Sequence, residues 1–144
     1  MMTERAFWDT SAIIPVCCVQ AFSPVARSTF RRFPRPALWW GTPVEVRSAF
    51  ERLKSENALP NEQSAIRHWS KFRAKAIEVL PDGALLAVAE SIPATYGLRA
   101  LDAFQLAAAL IWCSERPRNR AFVCADSKLS LAAEEAGFEL VSVG

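Results

Sequence analysis

Four acidic residues occupy positions from which they could carry chemistry, because each follows a predicted strand or opens a predicted helix. They are Asp9, Glu45, Asp102 and Asp126. Asp9 comes directly after the apolar run 6–8, and Asp126 comes directly after the apolar run 121–125. In folds with parallel strands the functional crevice lies beyond the carboxyl ends of the strands. We therefore expect these two side chains to meet at one edge of a sheet.

Glu45 and Asp102 are expected in the first turns of two helices that begin at the same edge. Glu45 belongs to the helix after the second predicted strand, and Asp102 to the helix before the fourth. Carboxylates gathered within about 4–6 Å repel one another by a few kcal/mol per pair at an effective dielectric near 20. Without a cation, some of them would have to bind a proton or the site would have to open.

A hard divalent cation removes that conflict. Mg²⁺ or Mn²⁺ is favoured over zinc because every predicted ligand is an oxygen atom. One or two such ions can activate a water molecule and stabilise the charge that develops on a phosphodiester. The pattern therefore indicates the chemistry of a metal-dependent nuclease.

Three of the acids also have a purely structural interpretation. Thr42 and Glu45 have the spacing of a capping box, in which the two residues satisfy the first N–H groups of a helix. Asp102 and Asp126 could be helix-start acids that the helix macrodipole favours. For these three residues the sequence leaves both interpretations open.

Asp9 has different rivals, since an isolated Asp after a buried strand can be a phospho-acceptor or a phosphatase nucleophile. The phosphatase pattern needs a second Asp two residues later, and Ser11 occupies that position. A receiver domain needs a pair of acids near the first strand, where only Glu4 is available. Both alternatives fit the sequence less well than a metal site.

The elements that must position these acids follow from hydrophobic periodicity and from cap residues. Strands are predicted at 6–8, 37–40, 77–80, 121–125 and 139–143, with Pro36 bounding the second. Helices are predicted at 24–33, from Thr42, from Asn61, at 84–96, at 98–113 and from Ser127 to Gly137, and another could begin at Thr10. Ser23, Asn61 and Ser127 are predicted as N-caps. This alternation predicts one doubly wound α/β domain over residues 1–144, with a parallel sheet covered by helices on both faces.

Composition excludes several classes of protein. A net charge of +2 is too small to indicate a dedicated nucleic-acid binder. The longest apolar runs, 12–19 and 106–113, fall short of the roughly 20 residues that span a bilayer. We expect a cytoplasmic protein with no membrane segment and no cleaved leader. Four cysteines without a CxxC pair, and one histidine, predict reduced, buried thiols rather than a zinc site.

Segments 7–12, 45–49, 98–103 and 123–126 together resemble the PIN-domain ribonucleases, and among these the VapC-type toxins of toxin–antitoxin modules. The order and spacing of the four acids match, and the resemblance covers essentially the whole chain. It implies a PIN-like three-layer fold with a central sheet of about 4–5 parallel strands. It also implies a Mg²⁺- or Mn²⁺-dependent endoribonuclease in which Asp9, Glu45, Asp102 and Asp126 bind the metal.

The resemblance carries further expectations. Ser11 matches a polar residue that supports the acids by hydrogen bonding, whereas Gln105 stands where many relatives have His, which leaves the role of that side chain open. The partners implied are an RNA substrate, a cognate antitoxin that blocks the acidic cleft, and a second copy of the chain in a homodimer. A PIN-like RNA-processing or RNA-binding module without a toxin role remains the alternative.

Basic and aromatic residues outside the four segments have open roles. Arg27, Arg31, Arg32 and Arg35 surround one predicted helix, and Lys71, Arg73 and Lys75 lie on another. Each group could contact RNA phosphates or simply form a solvated helix face. Arg99, one helical turn before Asp102, could contact a phosphate or pair with an acid. Trp39, Trp40 or Trp112 could contribute to an exposed apolar patch or pack in the core.

Overall fold

A computed structural model describes residues 4–144 of the chain. Its sheet has five parallel strands in the order β3-β2-β1-β4-β5. The strands are β1 Arg5–Trp8, β2 Arg35–Trp39, β3 Ile77–Val79, β4 Ala121–Cys124 and β5 Glu139–Ser142. The helices are α1 Thr10–Cys17, α2 Ser23–Arg32, α3 Thr42–Ser55, α4 Glu62–Ala74, α5 Gly83–Tyr96, α6 Ala100–Trp112 and α7 Ser127–Ala136.

The two faces of the sheet carry separate apolar clusters, because successive side chains of a strand point to opposite faces. Ala6 and Trp8 of β1 pack in the cluster that holds the buried residues of α1, α3 and α4. Phe7 of the same strand packs in the cluster that holds the buried residues of α5, α6 and α7. The predicted fold class is therefore confirmed: a parallel sheet lies between two helical layers.

The sheet order creates one place where a ligand crevice is expected. From β1 the chain passes outward through β2 and β3, then returns to add β4 and β5 on the other side of β1. The order reverses between β1 and β4, and open α/β sheets bind ligands at such a switch point, beyond the carboxyl ends of the strands. Asp9 follows β1, and Asp126 lies two residues after β4.

The second strand differs from its predicted bounds. It begins at Arg35 rather than at 37, so Pro36 lies inside the strand and pairs with Ala6. The Arg35 N–H donates to Glu4 O on the β1 side at 3.3 Å, so the nitrogen of Pro36 lies toward β3, where pairing starts only at Ala37. The N–H that proline lacks is therefore not needed by the ladder.

Two of the predicted N-caps are wrong. Ser23 is the first residue of α2, and its hydroxyl donates to Cys18 O at 2.7 Å and accepts from Gln20 N–H at 2.8 Å, so it organises the preceding loop. Ser127 is the first residue of α7, which Asp126 caps instead. Asn61 does cap α4, by accepting from Ser64 N–H. The predicted helix 98–113 spans Ala100–Trp112.

Other expectations concern membrane segments, cysteines and the domain. No helix within residues 4–144 is long and apolar enough to cross a membrane. All four cysteines are free and buried, as predicted, and burial raises the pKa of Cys18 to about 11 and that of Cys124 to about 12. Residues 1–3 of the predicted domain lie outside the described residues.

Candidate functional site

The structure places all four predicted acids on one cleft of about 440 Å³ at the carboxyl ends of β1 and β4. Four different segments supply them: the β1–α1 junction, α3, α6 and the β4–α7 junction. The cleft also has apolar and cationic lining. Its lining includes Asp9, Thr10, Ser11, Val44, Glu45, Arg52, Leu101, Asp102 and Asp126.

Asp9 is held rigidly between the first strand and the first helix. Its N–H donates to Val123 O at 3.0 Å, which continues the β1–β4 ladder by one residue. Its side chain caps α1 by accepting the Ser11 N–H at 3.1 Å. Since Asp is among the preferred N-cap residues, the same carboxylate that lies in the cleft also starts the helix.

Ser11 connects the two strand ends that frame the cleft. Its hydroxyl donates to Asp9 Oδ2 and accepts the Ala125 N–H at 2.9 Å. The hydroxyl thereby fixes the Asp9 carboxylate relative to the segment that carries Asp126. The position of Ser11 fits the supporting role that was predicted for it.

The Ser11→Ala variant is expected to lose about 1–3 kcal/mol in its free energy of unfolding, because the half-buried Ala125 N–H and Asp9 Oδ2 each lose a partner. Urea unfolding followed by circular dichroism would measure this. Ser55→Ala is a matched control, since the exposed Ser55 hydroxyl donates only to Arg52 O within its own helix. Equal losses in the two variants would contradict the bridging role.

Glu45 is anchored by side chains from two other helices. Thr10 Oγ1 donates to Glu45 Oε1 at 3.0 Å, and Gln105 Nε2 lies 3.3 and 3.4 Å from the two carboxylate oxygens. Gln105 Nε2 also lies 3.3 Å from Thr42 Oγ1. The capping-box interpretation of Thr42 and Glu45 is therefore wrong: Gly41 is the N-cap of α3, and the Thr42 side chain makes no cap hydrogen bond.

Gln105 is the buried centre of this network. It is 1% exposed, and its Oε1 has no hydrogen-bond partner in the described part of the chain. Leaving a buried amide oxygen unpaired costs about 1–3 kcal/mol. That cost is offset by an Nε2 group placed against Glu45, Thr10 and Thr42, so Gln105 acts by orienting Glu45.

Asp102 and Asp126 complete the cleft from the other side. Asp102 is half-buried in the first turn of α6. Asp126 is exposed, and its Oδ1 accepts the Leu129 N–H at 2.9 Å as the N-cap of α7. For Asp126 the capping role is thus observed, and that role coexists with a place on the cleft.

Burial and the charges of neighbouring carboxylates raise the pKa of three cleft acids, Asp9, Glu45 and Asp102. Burial raises the pKa of Asp9 to about 6 against the lowering effect of the Ser11 hydrogen bonds, with smaller contributions from the charges of Asp102 and Asp126. Burial likewise raises the pKa of Glu45 to about 6. Burial and the charge of Asp126 raise the pKa of Asp102. Ionisation of these three carboxyl groups near neutral pH is therefore unfavourable when no cation is bound.

Comparison with known proteins adds information on the fold. No family model matches the chain, and no curated protein matches it. The crystal structure of PAE2754 from Pyrobaculum aerophilum superimposes with a TM-score of 0.65, over 96% of this chain and 90% of that chain, at 18% sequence identity. At that identity the similarity establishes a shared fold and nothing more.

The donor set of the cleft suits a hard divalent ion, because all the acidic ligands are carboxylates. Within residues 4–144, however, no three His, Cys, Asp or Glu side chains are arranged as a group that could hold a metal ion. The acids line one cleft without forming a closed cage. A bound ion would have to draw some of these side chains inward.

Sequence reasoning missed several cleft residues. Arg52 is an exposed cation on the lining, seven residues after Glu45 and so on the same face of α3. The i+7 spacing was the signal that could have revealed it. Val44 and Leu101 also line the cleft, and they are 75% and 62% exposed. The hydrogen bonds of Thr10 on the cleft and of Thr42 behind it gave no signal, because they join residues of α1, α3 and α6 that are distant in sequence.

The basic groups predicted from the sequence do not line the acidic cleft. Arg27, Arg31, Lys71 and Lys75 line another groove, between α2 and α4. Arg35 pairs with Glu4 and Arg73 pairs with Glu78, both at 3.5 Å. Arg99 is exposed and is not among the cleft residues.

The three tryptophans singled out from the sequence differ in exposure, so core packing applies to some and an exposed apolar surface to another. Trp39 is 7% exposed and stacks on Phe104 with ring centroids 5.1 Å apart, so it belongs to the core. Trp40 is 54% exposed, and Trp112 is half-buried beside Phe7. Only Trp40 offers the exposed apolar surface that the sequence suggested.

Proposed function

We propose that this chain is a metal-dependent endoribonuclease that binds Mg²⁺ or Mn²⁺ through Asp9, Glu45, Asp102 and Asp126. The observation that carries the proposal is that four acids, distant in sequence, line one cleft at the switch point of the sheet. Helix capping accounts for Asp126 and in part for Asp9. It does not account for Glu45 or Asp102, which cap no helix.

The energetics of the cleft favour a cationic ligand. A carboxyl group with a pKa of about 6 is mostly ionised at pH 7.5, and Asp9 is only 5% exposed. Keeping it ionised without a counter-charge costs free energy. Asn or Ser could fill a purely structural role at these positions without the cost of a buried charge. We therefore attribute the presence of Asp9 and Glu45 to a ligand that needs their charge.

The chemistry of phosphodiester hydrolysis divides between the ion and the chain. A divalent ion, when bound, would polarise the phosphoryl oxygen and lower the pKa of an attacking water. Ser11 and Gln105 would hold Asp9 and Glu45 in place, which limits the reorganisation that the reaction needs. Arg52 would bind a phosphate of the substrate at the cleft, and the exposed Val44 and Leu101 would contact its bases or sugars.

The resemblance to PIN-domain ribonucleases supplies RNA as the substrate of this proposal. The direct test is incubation of purified protein with cellular RNA in Mg²⁺ or Mn²⁺, beside a sample with EDTA. Accumulation of discrete fragments with either metal and none with EDTA is the expected result. Intact RNA in all samples, with the protein folded and free of partners, would contradict the proposal.

Gln105→Leu tests the positioning role within the same site. We expect metal affinity to fall about 10- to 100-fold, the usual effect of losing a side chain that orients a metal ligand. Fold stability should fall by about 1–3 kcal/mol at most, because Thr42 and Glu45 lose a partner while the unpaired buried Oε1 is removed. Mn²⁺ titration by calorimetry and thermal unfolding would measure the two effects. Unchanged Mn²⁺ affinity in a folded variant would show that Gln105 does not orient Glu45.

The VapC-type assignment extends the proposal to partners and location. A toxin of this type would act in the cytoplasm, form a homodimer and be silenced by an antitoxin encoded beside it. Co-purification with the product of an adjoining reading frame, and loss of RNA cleavage in that complex, are the expected results. RNA cleavage by a protein with no such neighbour would favour the RNA-processing alternative.

A further inference from the structure

A second groove, which shares no lining residue with the acidic cleft, lies between α2 and α4 and has a volume of about 490 Å³. Its walls carry Arg27 and Arg31 from α2, and Lys71 and Lys75 from the end of α4, with His68 beside them. Its floor is apolar, formed by Val16 of α1 and by Phe30 and Ala74. We call it the basic groove.

The cations of the basic groove are not neutralised. The ion pairs of the described residues involve Arg35, Lys54 and Arg73, and none of the groove cations. No acidic residue lines the groove, whereas four carboxylates line the other cleft. A net charge of +2 is therefore distributed very unevenly, with a concentrated positive surface on this side.

Two cations of the groove, Arg27 and Lys75, are held by contacts with its floor. Arg27 and Arg31 are one helical turn apart, as are Lys71 and Lys75, which places the members of each pair about 6 Å apart along the helix axis. Arg27 Nε donates to Val16 O at 3.3 Å, and Lys75 Nζ lies 5.5 Å from the centre of the Phe30 ring. Phe30 itself packs on Phe72 at 4.6 Å between centroids, which ties the floor to the core.

We propose that the basic groove binds the phosphate backbone of the RNA, away from the site of cleavage. The inference rests on the proposed function and specifies its substrate as an RNA long enough to reach both sites. Without a bound ion the acidic cleft repels a polyanion, and Arg52 is the one cation on its described lining, so most of the affinity for RNA is expected to come from another surface. Cations that neutralise phosphates and release counterions supply such affinity without reading the sequence.

The test is RNA binding measured without cleavage. A fluorescein-labelled, unstructured RNA of about 30 nucleotides would be titrated with protein in EDTA, by anisotropy, at several salt concentrations. The groove variant is Arg31→Gln with Lys71→Gln, and the control is Arg116→Gln with Arg118→Gln. All four side chains are exposed, so both variants remove two surface charges and should fold.

The groove variant is expected to bind about tenfold more weakly than wild type at low salt. The slope of log K against log salt should become shallower by about 1.4, for two lost contacts to single-stranded phosphate. The control should stay within about twofold of wild type. Equal losses in both variants would overturn the inference, since binding would then follow net charge alone.

A second binding assay distinguishes RNA from an acidic protein segment as the ligand of the basic groove. If the groove variant loses affinity for a labelled polyglutamate peptide but keeps its affinity for RNA, the RNA assignment is overturned. The EDTA assay also separates this inference from the proposed function. RNA cleavage by a groove variant with unchanged RNA affinity would refute the groove assignment alone, and groove-dependent binding without cleavage would refute only the nuclease.

Discussion

The Asp9→Asn variant is expected to lose RNA cleavage by more than about 100-fold while remaining folded. Residues that merely orient metal ligands typically contribute 10- to 100-fold, and Asp9 is proposed to be a ligand itself. Asn keeps the capping hydrogen bond to Ser11 N–H, because Asn and Asp are equivalent N-caps. The loss would therefore come from the missing charge rather than from a broken helix start. Initial rates on a labelled RNA with saturating Mn²⁺ would measure it.

Asp82→Asn is the matched control for that experiment. Asp82 caps α5 by accepting the Leu85 N–H at 2.8 Å, just as Asp9 caps α1, but it does not line the acidic cleft. Cleavage by Asp82→Asn should stay within about threefold of wild type, since a conservative cap change shifts stability only slightly. Comparable losses of cleavage in the two variants would show that Asp9 has no specific role in catalysis.

The same Asp9→Asn substitution is expected to stabilise the metal-free protein at neutral pH. Burial raises the pKa of Asp9 from 3.8 to about 6, so the unfolded chain releases this proton more readily than the folded one. The stability that the protonated form provides is complete below about pH 4 and is lost as the pH rises through about 6. At 1.36 kcal/mol per pKa unit, ionisation of this buried group costs roughly 2–3 kcal/mol above pH 7.

Thermal unfolding in EDTA would measure this effect as a function of pH. Asp9→Asn should unfold roughly 4–12 °C above wild type at pH 7.5, and the gap should close toward pH 4. Saturating Mg²⁺ should raise the unfolding temperature of wild type and narrow the gap, because the ion binds the folded state. A pH-independent difference, or a less stable variant at pH 7.5, would contradict the raised pKa.

The fold was predictable because the strands at the centre of a covered parallel sheet read as short, nearly continuous apolar runs. The runs 6–8 and 121–125 became β1 and β4 with few changes in their bounds. Pro36 was misleading, because proline usually bounds a strand. The strand β2 tolerates proline at this position because its pairing with β3 begins only at Ala37. Ser23 and Ser127 were equally misleading as N-caps. The Ser23 hydroxyl forms hydrogen bonds with the preceding loop, and the residue before Ser127, Asp126, caps α7.

The acids of the cleft were predictable by position, since the carboxyl ends of adjacent parallel strands share an edge. The side chains that hold them were not. Gln105 of α6 meets Glu45 of α3 although the two helices cover opposite faces of the sheet, and 60 residues separate the two positions in sequence. The basic groove illustrates the same point: Arg27, Arg31, Lys71 and Lys75 were visible as two helix faces, but nothing in the sequence indicated that these faces meet.

The binding of a divalent ion in the acidic cleft is the central claim, and Mn²⁺ titration of the metal-free protein at pH 7.5 tests it most directly. Calorimetry should show saturable binding of one or two ions in wild type and in Asp82→Asn. In Asp9→Asn the affinity should be at least about 100-fold weaker. Absence of binding to the folded wild-type protein at millimolar Mn²⁺, or equal binding in all three proteins, would contradict the account.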